Sequence, residues 1–469
     1  MKNPQPLPGD HARLTTRGTP GVSAMARRAL SIATCALAVL TSALPTQASP
    51  AGRDCRPEKS VRFAVLSDTH VYDARLGTTG SAFEAYLAAD PKLLALSEPI
   101  LAAAVADIIK SDVRFVIISG DLTKDGEVVD HLLMVRYLEK FERAGIPVFI
   151  VPGNHDINNH DAARYSGDTA TPIASVSPQL FRFLYQPFGY GQAIDHAPDS
   201  LSYVAEPAPG LWLLALDSVK WAEDAQAPHP LVSGRLTDAT MAWALKKLQQ
   251  AQVRGKQVIA FMHHGVNMHF GAEPIVFPDY LVDNWWQVGP TLAGAGLKVI
   301  FTGHYHSQDA AWLVDASGTP LPGTLCDIET GSLIMEPCAY RIAELDCTGQ
   351  LHVTSRRITS IAADLGGVPF QTYADAYLRA LLPYSVIFAL ESDPFYLDPG
   401  TATYLEPLVT DALIANYVGD EDPSAQTLAM LQALLGSSDP AEQQLGQLLG
   451  TLWIDPPPTD NTLVVPVKN

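Results

Sequence analysis

The chain has 469 residues, 47% hydrophobic and 17% charged, a balance that excludes a disordered polymer and supplies ample apolar material for a large core. Its 36 prolines and 33 glycines follow no short period, which excludes a collagen or a coiled coil. With 31 basic and 50 acidic residues the net charge is −19, a field that repels polyanions and argues against a nucleic-acid partner.

The N-terminus reads as a leader. Arg27 and Arg28 precede an uncharged apolar run, Ala29 to Leu44, and Pro45-Thr46-Gln47-Ala48-Ser49 follows. A basic start, a short apolar segment and small residues at a cleavage point describe a secretory signal peptide. Met25 is an alternative start, and the paired arginines are compatible with twin-arginine export. The run falls short of the roughly 20 apolar residues a bilayer span needs, so no stable membrane span is expected after cleavage. Residues 1–48 are thus read as an N-terminal extension with signal peptide and 49–60 as a linker, and the protein is expected to be exported, periplasmic or secreted. Cys55, Cys326, Cys338 and Cys347 remain in the mature chain. The last three cluster, and an oxidising compartment predicts at least one bridge among them. No CxxC spacing is present, which argues against a zinc–thiolate site.

Next comes a repeated pattern. Val61 to Ser67 is a β-rich run ending in Asp68-Thr69-His70, and Arg114 to Ser119 ends in Gly120-Asp121. Pro147 to Val151 leads through Pro152 to Gly153-Asn154-His155-Asp156. Gln257 to Met262 ends in His263-His264, and Lys298 to Phe301 ends in Thr302-Gly303-His304-Tyr305-His306. Continuous Val, Ile, Leu and Phe runs are what strands covered on both faces look like. Helical patterns at Leu93 to Ile109 and His131 to Ala144 separate the first three, so those strands are parallel and their carboxyl ends share one edge. Ligands bind at that edge in open α/β sheets. A single Asp or His after a strand is ordinarily a turn former or helix cap; five in this order, with glycines at the sharp turns, point to one site.

Two excursions interrupt the pattern, residues 158–205 with Arg164, Tyr165, Phe181, Arg182, Phe183, Tyr185, Phe188 and Tyr190, and residues 267–290 with Phe270, Phe277, Tyr280, Trp285 and Trp286. Long segments at a catalytic edge are natural places for substrate selection; the competing reading is a cap that packs its own aromatics. From 366 to 455 apolar residues recur at helical spacing, as in Tyr373, Tyr377, Leu378, Leu381 and Leu382, broken by Pro394, Pro407, Pro423 and Pro440. A helical C-terminal region of short segments is predicted there, followed by a tail over 456–469.

Taken together, Asp-x-His, Gly-Asp, Gly-Asn-His-Asp, the later His263 and Gly-His-x-His resemble the calcineurin-like metallophosphoesterases over roughly residues 61–358. That resemblance implies a four-layer αββα sandwich with two mixed sheets, to which the C-terminal helices would be an appendage. Carried over by position, it implies that Asp68, His70, Asp121 and His306 hold one metal ion. Asp121, Asn154, His263 and His304 would hold the second, with Asp121 bridging. Nitrogen and oxygen ligands without thiolate suit divalent or trivalent Fe, Zn or Mn alike.

The implied substrate is a small phosphate ester. Such esters are anionic and resist water, so two cations about 3.5–4 Å apart are needed to gather nucleophile and phosphoryl oxygens. The implied chemistry is attack by a metal-bridging hydroxide with His155 as general acid, and Asp156 beside it would orient the ring. His264 would support His263, and Asp217, at the end of Leu211 to Leu216, reads as structural. Lys124 is either a residue that steers anionic substrate or a solvated loop lysine. It stands where purple acid phosphatases place a tyrosine, and Lys124-Asp125-Gly126 replaces the Asp-Arg-Gly of protein Ser/Thr phosphatases. An apolar wall built by the two excursions would favour phosphodiesters over monoesters. The alternative class is a non-catalytic exported protein that captures a metal or phosphate ligand on the same fold. No oligomeric state is assigned.

Overall fold

The computed structural model describes residues 60–468 apart from 316–317, 393–394, 420 and 455–456, all within the compact unit Asp54–Asn469. The leader, its cleavage point, the linker up to residue 59 and Cys55 lie outside the described residues. Among the described residues no helix is long and apolar enough to cross a membrane.

The fully apolar runs form the interior of two mixed sheets. In the first, strands order as 462–466, 350–357, 339–345, 61–66, 115–118 and 148–150. The last three are mutually parallel, whereas Val61–Leu66 meets Ala339–Leu345 antiparallel. The second orders as 310–312, 326–329, 299–302, 257–261, 211–215, 203–208 and 195–196, with its four central strands parallel. Strand side chains alternate between faces, and each face has its own core. Leu213, Ile259, Phe261 and Phe301 point toward the first sheet and join Phe63, Val65 and Ile117. Their neighbours Trp212, Leu214, Ala260 and Ile300 point the other way, into Trp243, Leu248 and Leu292 of helices Asp238–Val253 and Trp285–Gly294. Helices Ser97–Ile109 and Val128–Arg143 cover the first sheet with Ile100, Leu101, Leu133 and Leu138. The result is the four-layer αββα sandwich. Its sheets interlock where the Phe63 and Phe301 rings meet edge-on at 5.9 Å and Tyr203 Oη donates to the Ile150 carbonyl at 2.9 Å.

Three expectations need correction. The helical C-terminal region has long elements, Phe370–Leu390 and Pro399–Val418, and Pro383 and Pro407 sit inside them without ending them. An internal proline costs about 3 kcal/mol, but Leu378, Leu382, Leu405 and Leu408 are buried around these positions and offset it. The stretch 456–469 is not a free tail. Thr462–Pro466 pairs antiparallel with Gln350–Arg357 as the edge of the first sheet, its Leu463 and Val465 inward. The sandwich is therefore closed by residues far beyond 358. Finally, Cys326 and Cys338 are buried free thiols and Cys347 is disulfide-bonded, so no bridge joins these three. Cys326 lies inside a central strand, where a packed thiol behaves as a small apolar side chain.

Leu463 is 4% exposed and its neighbour Val464 52%. Leu463→Ala is expected to lower unfolding stability by roughly 2 kcal/mol or more and Val464→Ala by less than about 0.5 kcal/mol, read from urea melts. Equal, negligible effects would mean the segment behaves as a tail.

Candidate metal centre

The parallel strands of both sheets end at the same edge, and hydrogen bonding continues past them into the turns. Asp68 N donates to Gly120 O at 3.1 Å and His70 N to Asp121 O at 2.9 Å, while Gly303 N donates to His263 O at 2.9 Å. The turns are crowded. A Cβ on Gly153 would lie 2.1 Å from Asp121 Oδ1, and one on Gly303 would lie 1.9 Å from Ser67 Oγ, so only glycine fits at either position. Asp68, His70, Asp121, His304 and His306 all have positive φ, from 34° to 79°. Non-glycine residues held there cost on the order of 1–3 kcal/mol each. Five strained residues at one place mark a site that the surrounding fold holds in shape.

All seven residues expected as ligands come together. His306 Nε2 lies 3.2 Å from Asp68 Oδ1, and His70 Nε2 lies 3.3 Å from His306 Nε2 and 3.7 Å from Asp121 Oδ2. On the other side His263 Nε2 is 3.3 Å from Asp121 Oδ2 and 3.0 Å from Asn154 Oδ1. Ligand atoms of Asp68, His70 and His306 fall within 4.8 Å of one another, as do those of Asp121, His263 and His304. Asp121 thus stands between two half-sites.

The donor set fits a pair of cations. Asp68 Oδ1 is buried without a hydrogen-bond partner, an orphaned acceptor that a bound cation would satisfy. His263 Nδ1–H donates to the Ser119 carbonyl at 2.9 Å and its Nε2 faces Asp121 Oδ2 at 3.3 Å; burial works against its charge, but Asp121 prevails and holds it up to about 9. His304 Nε2–H donates to the Asp279 carbonyl at 3.3 Å and leaves Nδ1 for the site. Burial holds His70 and His304 well below the usual histidine range, with Lys92 the next cause at His70 and His264 at His304. Both are therefore neutral, as a ligand must be. Burial works against the Asp121 carboxylate, yet His263 and His155 hold it well below the usual range.

The His263-His264 doublet resolves by hydrogen bonding. His264 Nδ1 accepts from Ser218 Oγ at 2.7 Å and Nε2–H donates to the Val232 carbonyl at 2.9 Å, so both its nitrogens are used by the protein. Burial and then His263 push it down to about 3.

His155 is 27% exposed, against 0–1% for His70, Asp121 and His263. Its Nε2 lies 4.0 Å from Asp121 Oδ2, and its Nδ1–H donates to Asp125 Oδ1 at 2.8 Å. Its nitrogen also falls within 4.8 Å of the His70 and Asp121 ligand atoms. Burial would lower it, but Asp121 and Asp125 prevail and hold it up to about 9. The expected orienting role of Asp156 is corrected. Its carboxylate accepts from Leu122 N, Thr123 N, Thr123 Oγ1 and Gly153 N at 2.8–3.1 Å, tying the Asp121 turn to the Asn154 turn. Asp125 orients the ring instead. Sequence reading missed it, although it lies in the turn that follows Gly-Asp. Lys124 is neither solvated nor free. It is buried, paired with Asp125 and with Glu127 at 3.6 Å, and lies 4.5 Å over the Tyr86 ring. Asp217 accepts from Leu201 N, Val219 N and Trp221 Nε1, as a structural residue does.

Most aromatics of the excursions pack inward, whereas Phe183 and Trp286 stay 75% and 56% exposed. Phe181, Tyr185, Phe188 and Tyr190 are buried in the main core, the cap reading rather than a substrate wall. Phe270 and Tyr305, with Phe277 and Tyr280 against them, form a core shared with the C-terminal helices. Tyr280 also reaches the ligands, its ring 4.6 Å from that of His304.

Two facing sheets with carboxylates and imidazoles gathered at their common edge define an α/β sandwich with candidate metal-ligand clusters at that edge. A family profile described as calcineurin-like phosphoesterase matches residues 61–308, and the chain belongs to that family. Sphingomyelin phosphodiesterase 2 of Caenorhabditis elegans is 27% identical over 166 residues, 32% of this chain and 26% of that protein, so the chain spans about a quarter of that relative. Among solved structures, a dimetal phosphatase from Danio rerio has a TM-score of 0.44 at 17% identity, covering 64% of this chain and 97% of that one. Purple acid phosphatase PPD1 from yellow lupin (Lupinus luteus) seeds has a TM-score of 0.41 at 11% identity, covering 64% and 52%.

Because Asp121 faces both half-sites, Asp121→Ala is expected to lose both of about two bound metal ions per chain. His263→Ala should lose about one, and His264→Ala should lose neither. Elemental analysis of the purified variants reads the difference, and metal loss in His264→Ala equal to that in His263→Ala would reverse the assignment of the doublet.

Proposed function

We propose that this protein hydrolyses phosphate esters at two metal ions, one held by Asp68, His70, Asp121 and His306 and the other by Asp121, Asn154, His263 and His304. The observation that carries the reading is the Asp121 carboxylate, buried with ligand atoms of His70 and His263 within 3.7 Å and an orphaned Asp68 oxygen nearby. The ions would supply Lewis acidity toward the phosphoryl group and lower the pKa of bound water toward roughly 7. Fe, Zn and Mn are all compatible with these ligands.

The residues of the chain do the rest. His155 projects from the Asn154 turn with Nδ1–H tied to Asp125, so Nε2 is left to hold the proton that the departing alkoxide needs. Asp125 acts through His155 as a positioning residue, itself anchored by Lys124. A protein that only captured metal would need no such histidine–carboxylate pair at the open side of the site. Likeness to a sphingomyelin phosphodiesterase supports diesters as the substrate class. Most aromatics of the excursions are buried and Phe183 and Trp286 alone of those named face solvent, so that preference rests on the likeness. The leader sequence and the disulfide at Cys347 support export to an oxidising compartment. Mass measurement of protein recovered outside the cytoplasm is expected to give a chain that begins near Ser49; an intact Met1 or Met25 start there would refute cleavage.

General acid catalysis contributes typically about 10²–10⁴-fold. His155→Ala should therefore slow an alkyl phosphate ester by roughly 100-fold or more and a nitrophenyl ester, whose leaving group needs no proton, by less than about tenfold. Asp125→Asn should follow the same split more weakly with metal content unchanged. Equal losses on both esters would remove the proton-donor role. Comparing bis-nitrophenyl with nitrophenyl phosphate turnover tests the ester class, and failure of the metal-loaded protein on the whole ester panel would refute hydrolysis.

A further inference from the structure

The segment Asp279 to Val282 belongs to the second aromatic excursion and to none of the strand-end motifs, yet it touches the second half-site in two ways. Its turn Pro278–Tyr280 sets the Asp279 carbonyl 3.3 Å from His304 Nε2, and the Tyr280 ring lies 4.6 Å from the His304 ring at 40°. Main-chain bonds tie the same segment to the residue that follows the His263-His264 doublet. Gly265 N donates to the Tyr280 carbonyl at 3.1 Å, and Val282 N donates to the Gly265 carbonyl at 3.0 Å. Leu281 and Val282 are fully buried, which anchors the segment at its other end. One stretch of backbone thus bridges the strand ends that carry His263 and His304.

His304 needs such a support. It sits in the left-handed region at φ 79°, which a non-glycine residue keeps only when its surroundings hold it there. Its hydrogen bond to the Asp279 carbonyl is long for an N–H···O bond and fixes one end of the ring, leaving a swing about the N···O axis. Three rings lie against that swing: His263 at 4.6 Å, His264 at 4.4 Å and Tyr280 at 4.6 Å. His263 faces Asp121, and His264 is held by Ser218 and the Val232 carbonyl. Tyr280 is the ring that comes from outside the strand ends. It is half-buried and backed by Tyr305 at 5.0 Å and Phe277 at 5.9 Å. Tilted aromatic pairs at such spacings attract beyond the area they bury, so the contact restrains as well as fills.

We propose that Tyr280 is a positioning residue that holds the His304 imidazole in the orientation that leaves Nδ1 for the ion assigned to Asp121, Asn154, His263 and His304. The proposal rests on the metal-centre reading but on no particular substrate, so metal binding tests it without turnover.

Titration of the cobalt(II)-loaded protein with a competing chelator, read by visible absorption and by ions bound per chain, compares the wild type with Tyr280→Ala, Tyr280→Leu, Tyr280→Phe and Phe277→Leu. An aromatic pair of this kind corresponds to roughly a threefold to tenfold change in affinity. Tyr280→Ala and Tyr280→Leu should give up one ion at a chelator concentration lower by about that factor, with its absorption band altered and the other ion held as in the wild type. Tyr280→Phe keeps the ring and should restore both. Phe277→Leu removes a ring behind Tyr280 while the Tyr280–His304 pair remains, and should hold both ions as the wild type does. The leucine variant at 280 guards against the alanine variant failing to fold. Ions held as tightly by Tyr280→Ala and Tyr280→Leu as by the wild type overturn the proposal. So does parallel weakening of both ions, or a Phe277→Leu variant that matches Tyr280→Leu, since either would mean general loosening of the aromatic cluster. A wild type that holds no cobalt removes the metal centre and this assignment with it. The expected split in a protein that hydrolyses no ester sustains the role of Tyr280 and sinks the hydrolytic reading.

Discussion

An ionised carboxylate does not sit in a protein interior without compensation, and Asp121 is that carboxylate here. Uncompensated burial of such a group costs many kcal/mol. The fold meets this by delivering His70, His155 and His263 to within 4.0 Å of a single Asp121 oxygen, from three different strand ends. Imidazoles compensate only partly, because His70 is driven neutral by the same burial. Two cations between the rings and the carboxylates would complete the balance. The left-handed backbone at Asp68, His70, Asp121, His304 and His306 is consistent with that view, since strain of this kind persists where the surroundings over-determine it.

The convergence of the candidate ligands was legible in the sequence because both ingredients are chemically narrow. A strand buried on both faces must be a continuous apolar run, and a residue that holds a metal must be one of very few types. Alternation of strands with helices aligns the first three strand ends, and the family resemblance then implied that His306 joins Asp68. Roles beyond the ligands were less legible. Asp156 adjoins His155 in sequence, yet a side chain following a tight turn points back at the turn it caps, and its oxygens are taken by backbone N–H groups. Asp125 reaches the ring instead because the Asp121 turn folds over it.

Packing also decided where aromatic residues went. Period and composition mark Phe181, Tyr185, Phe270 and Tyr305 as apolar, but do not say which surface they cover. The terminal strand shows the same gap. Thr462–Pro466 alternates as a half-buried strand should, with Leu463 and Val465 inward, but the partner that makes it a strand lies more than a hundred residues away. Pro407 misleads for the converse reason, because a breaker rule weighs a local penalty and is blind to the burial of Leu405 and Leu408 that outweighs it.

The C-terminal helices bear on the centre through the residue between two ligands. Tyr305 separates His304 from His306, and its ring lies 5.7 Å from Phe270, 5.1 Å from Phe277 and 6.0 Å from Tyr417 of the Pro399–Val418 helix. Gln308 N, two residues past His306, donates to the Tyr417 carbonyl at 3.2 Å. A turn whose two histidines both occupy the left-handed region has little intrinsic stability and would relax if Tyr305 were free. Burying that ring in the core of the appendage converts the packing energy of distant leucines into the positioning of two imidazoles. The helices are thus part of what keeps the centre assembled, even though they contribute none of the expected ligands.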